Sequence, residues 1–271
     1  SNHFYLYQFK SVRKINILIA FLVSSIFLGS YSHAEENDDT FWMADEEDLS
    51  FANELLFVRK HLDEVTEATQ FYYDFKRSGS LLDAIEDKVV VKIVKILPSG
   101  KKDVTTRFLS GRYKKRYAAQ YRRSQNPIFM WFFERDVVEM QRYTGGNSLF
   151  FRNRIRQTLA GKSKLGGAAK TKPVKFQFEG KEYDGTEIRL LPYEGSIKIK
   201  QYPRYESKSY RLVLSESIPG GFYSLSSTVE SSEKGILIDE VLTYKGIVKS
   251  VKKEIVKKWS FFDIRSWPIF N

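Results

Sequence analysis

The sequence predicts an α+β protein with a curved antiparallel sheet, half-barrel-like, an N-terminal helix and a central aromatic helix pair. Three observations indicate this fold. Seven to nine short strand-like segments are joined mostly by turns too short for the crossover helices of a parallel sheet. Two capped helical segments interrupt them near the middle of the chain. With 42% hydrophobic residues, 15% aromatic residues and no cysteine, a chain of this length is expected to rest on its hydrophobic core alone.

The N-terminus predicts a secretory signal over residues 1–34. Lys10, Arg13 and Lys14 precede an apolar stretch at 17–28, and small residues follow at Ser32 and Ala34, which is the order of a cleavable signal. An uncleaved anchor is the alternative, but twelve apolar residues are too few to span a bilayer comfortably. Residues 35–48 form an acidic, flexible lead-in, and residues 49–271 form a single α+β domain.

The first elements of the domain follow from apolar spacing. Leu55, Leu62 and Val65 recur at helical intervals, which predicts a helix over 49–65. A strand is expected at 71–76. The clearest hairpin joins the β-branched run at 88–97 to the strand at 104–109 through a Pro-Ser-Gly turn at 98–100.

Two helices are predicted in the middle of the chain. The first opens with Asn126 as N-cap and Pro127 in the first turn, and Gly145 and Gly146 end it. The second runs from about residue 147 to 161. The first helix begins with six consecutive apolar residues at 128–133, so it is a core helix, a plug for an apolar cavity or a docking surface.

The second half returns to strands. Residues 162–172 are small and rich in lysine, which favours a linker. Strand patterns follow at 174–178, 182–193, 209–215, 222–230 and 236–244, separated by turns. The segment 247–259 fits a helix and a strand equally well.

Charge narrows the class of partner. The formal net charge is +11, and the three cations of residues 1–34, which contain no acid, leave about +8 after cleavage. For an exported protein the expected polyanions are an anionic lipid, a glycolipid or an envelope protein, with peripheral membrane contact, and not a nucleic acid. The predicted localisation is the periplasm.

Several enzyme classes are excluded by missing residues. Cysteine is absent and His61 is the one histidine beyond the signal, so neither a catalytic triad nor a histidine or thiolate metal site is expected. The sequence has no dinucleotide-binding glycine motif and no P-loop. We predict no cofactor, no metal and no catalytic residue. His61 itself is expected on the surface of the first helix.

A two-carboxylate hydrolase survives these exclusions. Its candidate acids are Glu134, Asp136 and Glu139, but the first two lie on different helix faces. We favour ion pairs between these acids and arginines. The candidate partners are Arg135, Arg142, Arg152 and Arg156, with Arg154 turned away from the face that holds the last two.

The strongest candidate binding site combines a basic segment with the apolar helix. Residues 106–126 hold seven cations and no acid, and tyrosines at 113, 117 and 121 form one stripe if the segment is helical. Basic and tyrosine side chains in this arrangement can bind an anionic membrane surface or a single-stranded nucleic acid. The alternative is a solvated loop without a ligand. The predicted ligand-binding residues are Arg112, Tyr113, Lys114, Lys115, Arg116, Tyr117, Phe129, Phe132 and Phe133.

Several stretches together resemble an uncharacterised family of secreted proteobacterial proteins. They are FLSG at 108–111, the helix at 126–146, FRNRIR at 151–156, GTEIRLLPY at 185–193 and KSYRLVLSESIPGGFYSL at 208–225. The resemblance implies a periplasmic location and nothing about chemistry. At fold level the order of elements is similar to periplasmic lipoprotein carriers, which implies a half-barrel with an apolar concave face.

The leading hypothesis is therefore a periplasmic, non-enzymatic binding protein for an amphiphile or anionic envelope component, such as a lipid, lipoprotein or glycolipid. The alternative is a scaffold protein of a cell-envelope assembly. A carboxylate-dependent hydrolase comes third.

Overall fold

The structure is a computed structural model that describes Trp42, residues 49–162 and residues 167–249. All of them lie in one compact unit, Thr40–Asn271. The predicted signal at 1–34 lies outside the described residues, as does the lead-in at 35–48 apart from Trp42.

Ten strands form one antiparallel sheet. They are β1 (Thr69–Ser78), β2 (Ile85–Ile96), β3 (Lys102–Phe108), β4 (Lys115–Arg116), β5 (Gln120–Arg123), β6 (Lys170–Phe178), β7 (Lys181–Leu190), β8 (Ser209–Leu214), β9 (Phe222–Ser231) and β10 (Gly235–Lys249). Their order is β4-β3-β2-β1-β10-β9-β8-β7-β6, with β5 also paired to β3. The predicted α+β fold with an antiparallel sheet is confirmed.

The sheet consists of two meanders joined at one seam. Strands β1 to β5 form the first, β6 to β10 the second, and β1 pairs with β10 from Thr69↔Lys249 to Ser78↔Asp239. Alternate residues of β1 are buried, as expected where one face of a strand covers a core.

The helix predicted over 49–65 is shorter than expected. Helix α1 (Phe51–Asn53) continues as a π-helical turn, Glu54–Val58, and the chain leaves it at Arg59 with an extended ψ of 137°. Leu62 is nevertheless buried, and its N–H donates to the carbonyl of Ser124 at 2.9 Å. Apolar spacing alone did not distinguish a helix from a helical turn followed by an anchored coil.

The two central helices are confirmed. Helix α2 (Ile128–Thr144) starts where Asn126 Oδ1 accepts the N–H of Ile128 at 3.1 Å, and it ends at Gly145 with φ 68°. Helix α3 (Ser148–Leu159) is capped by the Asn147 side chain. Both caps follow the chemistry that the sequence indicated.

Other boundaries differ in detail. The linker predicted over 162–172 is too long, because residues 170–172 already pair with β7. The short strands β4 and β5 inside the basic segment were not predicted. At the other end, residues 247–249 continue β10 as a strand, and the rest of the ambiguous segment 247–259 lies outside the described residues.

Helix α2 packs under both meanders. The Phe129 ring lies 5.3 Å from Phe222 on β9, and the Arg135 guanidinium lies 4.7 Å above the Phe75 ring on β1. The inner face of the sheet is therefore the face that α2 covers, and the outer face carries the alternate residues of each strand.

Candidate functional site

The predicted apolar site residues lie in the core. Residues 128–133 are at most 6% exposed. Phe132 and Phe133 both meet the Tyr210 ring edge-on, at 6.5 and 5.4 Å. Of the three environments considered for this run, the structure places it under the sheet as a core helix.

Trp42 is the described residue of the lead-in, and it is packed against the same helix. Its ring stacks on Phe133 at 5.5 Å, and its Nε1–H donates to Glu134 at 2.8 Å. With 2% exposure, Trp42 contributes to the core of the domain.

The basic segment is not helical, so its tyrosines form no stripe. A 3₁₀ turn at Gly111–Tyr113 leads into β4 and β5. Tyr117 stacks on Trp131 at 4.1 Å and 7°, and burial raises its pKa above the ordinary range. Tyr121 instead is 68% exposed. The Tyr117–Trp131 stack is the contact that joins the basic segment to α2.

The cations of this segment lie at the surface. Arg112 lies over the Tyr113 ring at 4.8 Å and approaches Asp83 at 3.6 Å. Lys114, Lys115 and Arg116 are exposed, and none of the three forms an ion pair with any residue that the structure describes. These three side chains therefore present positive charge at the surface.

The candidate carboxylates are bound to cations. Glu134 accepts two hydrogen bonds from Arg152, at 2.6 and 2.8 Å, which matches the predicted pairing. Glu139 meets Arg77 at 3.5 Å and Arg142 at 4.0 Å. Arg154 turns away from this face and donates to the carbonyl of Pro192 at 2.8 Å.

Asp136 belongs to a buried polar cluster. It accepts hydrogen bonds from Lys208 at 2.6 Å, from Ser227 at 3.3 Å and from the Tyr210 hydroxyl. Burial holds the pKa of Tyr210 well above its ordinary value. The Asp136 and Lys208 side chains are 3% and 2% exposed, so this cluster holds α2 to β8 and β9, and solvent does not reach it.

A second buried cluster lies beneath the seam. Arg135 binds Glu240 through two hydrogen bonds of 2.8 and 3.0 Å, and Arg77 reaches the same carboxylate at 3.4 Å. Burial raises the pKa of Glu240, but the positive charge of Arg135 outweighs it, and the pKa falls below the ordinary value. Arg135 therefore pairs with Glu240 on β10. The prediction that it pairs with the acids of its own helix was wrong.

His61 lies outside α1 and is partly buried, so its prediction as a helix-surface residue was wrong. Its Nε2 bonds to the carbonyl of Leu55 at 2.8 Å, and its Nδ1 accepts the N–H of Asn126 at 3.4 Å. Burial lowers the pKa of His61 to about 4. A Cβ at Gly221 would come within 2.4 Å of the ring, so the imidazole fastens the β8–β9 turn to the start of α2.

A cleft with a volume of ≈ 900 Å³ lies beside His61. Its walls are the segment after α1, the start of β7, the β8–β9 turn and the end of β10. β10 pairs with β9 as far as Thr243↔Ser224 and then continues to Lys249 along β1 alone. Likewise β8 stops at Leu214↔Thr186, so β7 residues 181–185 pair with β6 alone. Two strand edges without a neighbour among the described strands therefore line this cleft.

Sequence inspection missed a cluster of cations on the outer face. Val90 of β2 pairs with Arg107 of β3, and Arg107 pairs with Arg116 of β4. Lys88 and Lys92 lie two residues on either side of Val90, so strand periodicity puts all four cations on one face. The alternation in KVVVKIVK at 88–95 carries the signal for the two lysines. The register that sets Arg107 opposite Arg116 carries no such signal in the sequence.

A second arginine row crosses the outer face of the other meander. Lys170 pairs with Arg189, and Arg189 pairs with Arg211. Here a carboxylate lies within the row: Glu187 accepts from Arg211 at 2.6 Å and meets Lys172 at 3.5 Å. Both meanders thus have arginines paired across neighbouring strands, and in the second meander Glu187 forms ion pairs beside them.

Within the residues that the structure describes, no group of three or more acidic or histidine side chains is placed to hold a metal ion. Over the same part of the chain, no helix has the length and apolar character needed to cross a bilayer.

Comparison with known proteins finds no matching family model and no matching curated protein. Among solved structures, the lipoprotein LppX of Mycobacterium tuberculosis is similar at 10% identity, with a TM-score of 0.33, over 74% of this chain and 98% of that chain. A LolA superfamily protein of Nitrosomonas europaea is similar at 8% identity, with a TM-score of 0.19, over 75% of this chain and 95% of that chain. Both are likenesses of fold, and no functional residue is carried over from them.

Proposed function

We propose that the chain is a non-enzymatic binding protein of the periplasm for an anionic amphiphile, that is, a lipid, glycolipid or lipoprotein of the envelope. The observation that supports this most directly is the set of exposed cations Lys114, Lys115 and Arg116, which have no acidic partner in the described part of the chain. They lie on a segment anchored to the core by the Tyr117–Trp131 stack.

The headgroup end of the ligand meets the cations. Near an anionic membrane surface each lysine or arginine contributes about 1 kcal/mol, within a Debye length of the surface. Tyr121, which is exposed on the same segment, suits the headgroup level of a bilayer because its ring is apolar and its hydroxyl polar. Arg112 and Tyr113 extend the same surface.

The apolar end is assigned to the aromatic interior next to Tyr117. In this proposal Phe129, Phe132 and Phe133 form the wall that an acyl chain contacts after the Tyr117 ring moves off Trp131. The Trp131 indole Nε1 is buried with no hydrogen-bond partner among the described residues, which is unusual for a core tryptophan. Each buried methylene of the chain contributes about 0.8 kcal/mol.

Two features support binding without catalysis. The candidate acids Glu134, Asp136 and Glu139 all hold cations, and the most buried of them, Asp136, is sealed from solvent. A hydrolytic pair of carboxylates needs access to substrate and to water.

Binding to vesicles tests the proposal. Wild type is titrated with anionic and with neutral vesicles at low and high salt, beside the triple variant Lys114→Gln, Lys115→Gln, Arg116→Gln. A control triple, Lys181→Gln, Lys200→Gln, Lys234→Gln, removes the same charge from exposed positions elsewhere. We expect the site triple to bind anionic vesicles at least about ten-fold more weakly than the control, with a flatter salt dependence.

Two outcomes would contradict the proposal. One is wild type that ignores anionic vesicles at low salt. The other is equal loss in both triples, because binding would then follow net charge and no particular site.

Localisation has its own test. The predicted signal requires a mature protein that begins at Glu35 and fractionates with the periplasm. Residues 1–34 retained on a membrane-bound protein would contradict it.

A scaffold role is the second candidate, and the cleft favours it. The open edge of β10 offers backbone N–H and C=O groups to an extended partner chain, whereas the Asp184 carbonyl on β7 already accepts a hydrogen bond from Ser215 at 2.7 Å. A photo-crosslinker at Ser217 should yield one discrete protein adduct in cells, and Val248→Lys on the exposed edge of β10 should abolish it. An adduct that survives Val248→Lys would argue against strand addition.

A further inference from the structure

The cation cluster on the outer face of the first meander is built into the sheet. Arg107 and Arg116 are Cα partners across β3 and β4, and Val90 sets Arg107 between Lys88 and Lys92 on the neighbouring strand. Arg107 is partly buried, whereas the other three cations are exposed. Side chains on paired strands are held more accurately than side chains on loops.

Like charges placed directly opposite each other destabilise a strand pair. The second arginine row relieves this repulsion through Glu187. No described carboxylate lies within ion-pair distance of Arg107 or Arg116. Asp74, the partner of Lys88 in register, is engaged by Lys245 at 3.4 Å. Asp87 accepts hydrogen bonds from Ser110, and the charge of Arg107 acts on this carboxylate only from beyond ion-pair distance.

We propose that this cluster binds a phosphomonoester group, with Arg107 and Arg116 on either side of its oxygens and Lys88 and Lys92 compensating the remaining charge. Two guanidinium groups suit such a ligand because each can donate two parallel hydrogen bonds to phosphate oxygens. A bound dianion would also offset the repulsion between Arg107 and Arg116, as Glu187 offsets the charge of Arg211 in the second row. The site rests on the proposed function, whose anionic ligand it specifies, and it shares Arg116 with that surface.

The group recognised is the same whether it belongs to a lipid headgroup or to free phosphate, and the experiment separates the two. Wild type, Arg107→Gln and Arg107→Lys are titrated with phosphatidylcholine vesicles containing phosphatidic acid. Parallel vesicles contain phosphatidylglycerol, a phosphodiester, at matched surface charge. Inorganic phosphate is titrated alone by calorimetry and as a competitor. Arg189→Gln is the matched control, because it removes an arginine from the row that already has an acid.

We expect wild type to prefer phosphatidic acid and Arg107→Gln to bind it about ten-fold more weakly or worse, since a hydrogen bond to a charged group is lost. Arg107→Lys should retain intermediate affinity, and Arg189→Gln should bind as wild type does. Competition by inorganic phosphate would show that the free ion suffices. Selective vesicle binding without such competition would show that the lipid headgroup is the source.

Failure of this site is distinguishable from failure of the proposed function. If wild type binds both lipids equally and Arg107→Gln matches Arg189→Gln, the phosphomonoester site is wrong while the anionic-surface function stands. If wild type binds neither kind of anionic vesicle at low salt, the proposed function and this site both fall. Circular dichroism of each variant establishes that a loss of binding is not a loss of fold.

Discussion

The two arginine rows on the outer face are a natural comparison, because the same cross-strand arrangement occurs in both meanders. In the second, Arg211 is bound by Glu187 at 2.6 Å. In the first, Arg107 and Arg116 face each other in register, and no described carboxylate forms an ion pair with either, although the charge of Arg107 acts on Asp87 at longer range. The first row therefore keeps more repulsion between its cations than the second row, in which Glu187 offsets the charge of Arg211. The difference indicates where an external anion belongs.

The arginines beneath the sheet, in contrast, are fully paired with an acid. Arg135 and Arg77 share Glu240, and all three side chains are at most 9% exposed. Buried charges have to be compensated, because desolvation of an unpaired ion costs several kcal/mol. Positive charge can remain uncompensated on the outer face because water screens it there.

The largest expected effect is from removal of the buried carboxylate. Glu240→Gln leaves Arg135 and Arg77 without their shared charge, and we expect the free energy of unfolding to fall by about 3–5 kcal/mol. Urea denaturation measures it. Glu86→Gln is the control, since Glu86 pairs with Lys76 at the surface and its loss should cost under about 1 kcal/mol. Equal effects of the two variants would show that burial does not separate these ion pairs.

Acid tests a buried contact that lies outside both arginine rows, the imidazole of His61. Burial lowers the pKa of His61 to about 4, so the unfolded chain takes up this proton first, near its ordinary value. Stability is then complete above about pH 6.5 and lost as the pH falls, by about 2 kcal/mol between pH 7 and 5. Denaturation midpoints across this window measure the slope. His61→Gln should abolish most of it, and an unchanged slope in that variant would contradict the role of His61.

A smaller effect is expected when the acid is removed from the second row. Glu187→Gln should cost about 1 kcal/mol of stability, because Arg211 and Lys172 are themselves more than half exposed. The same change should give the second row affinity for phosphatidic acid vesicles, since it reproduces the unneutralised row. Thermal unfolding and vesicle titration report the two effects. Stability loss without new binding would mean that an arginine row is not sufficient for a site.

The smallest effect has the opposite sign. Arg116→Gln removes the repulsion with Arg107 and should stabilise the fold by about 0.2–1 kcal/mol while weakening binding. Arg116→Lys keeps the charge and should leave stability unchanged. Destabilisation by Arg116→Gln would mean that Arg116 has a structural partner. The repulsion between Arg107 and Arg116 would then no longer support an anion site.

The sequence predicted the elements better than the site. Asn126, Pro127 and Gly145 fixed the ends of α2, because caps and left-handed glycines are local chemistry. The helix expected over 49–65 was too long, because Leu62 is held by the distant Ser124 and not by helical neighbours. The outer-face cluster escaped prediction for the same reason: Arg107 meets Arg116 only through strand register, and the spacing of residues does not encode register.

The seam between the meanders joins strands that lie far apart in the sequence. β1 completes its pairing with β10 only when residues near 249 are present, since Thr69 pairs with Lys249. Such non-local pairing slows folding to about the millisecond-to-second range. Until then the edge of β1, with Phe71, Tyr73 and Phe75, has no partner on that side, and unpaired apolar edges aggregate. A chain that is still being synthesised therefore exposes this edge of its first half until β10 docks.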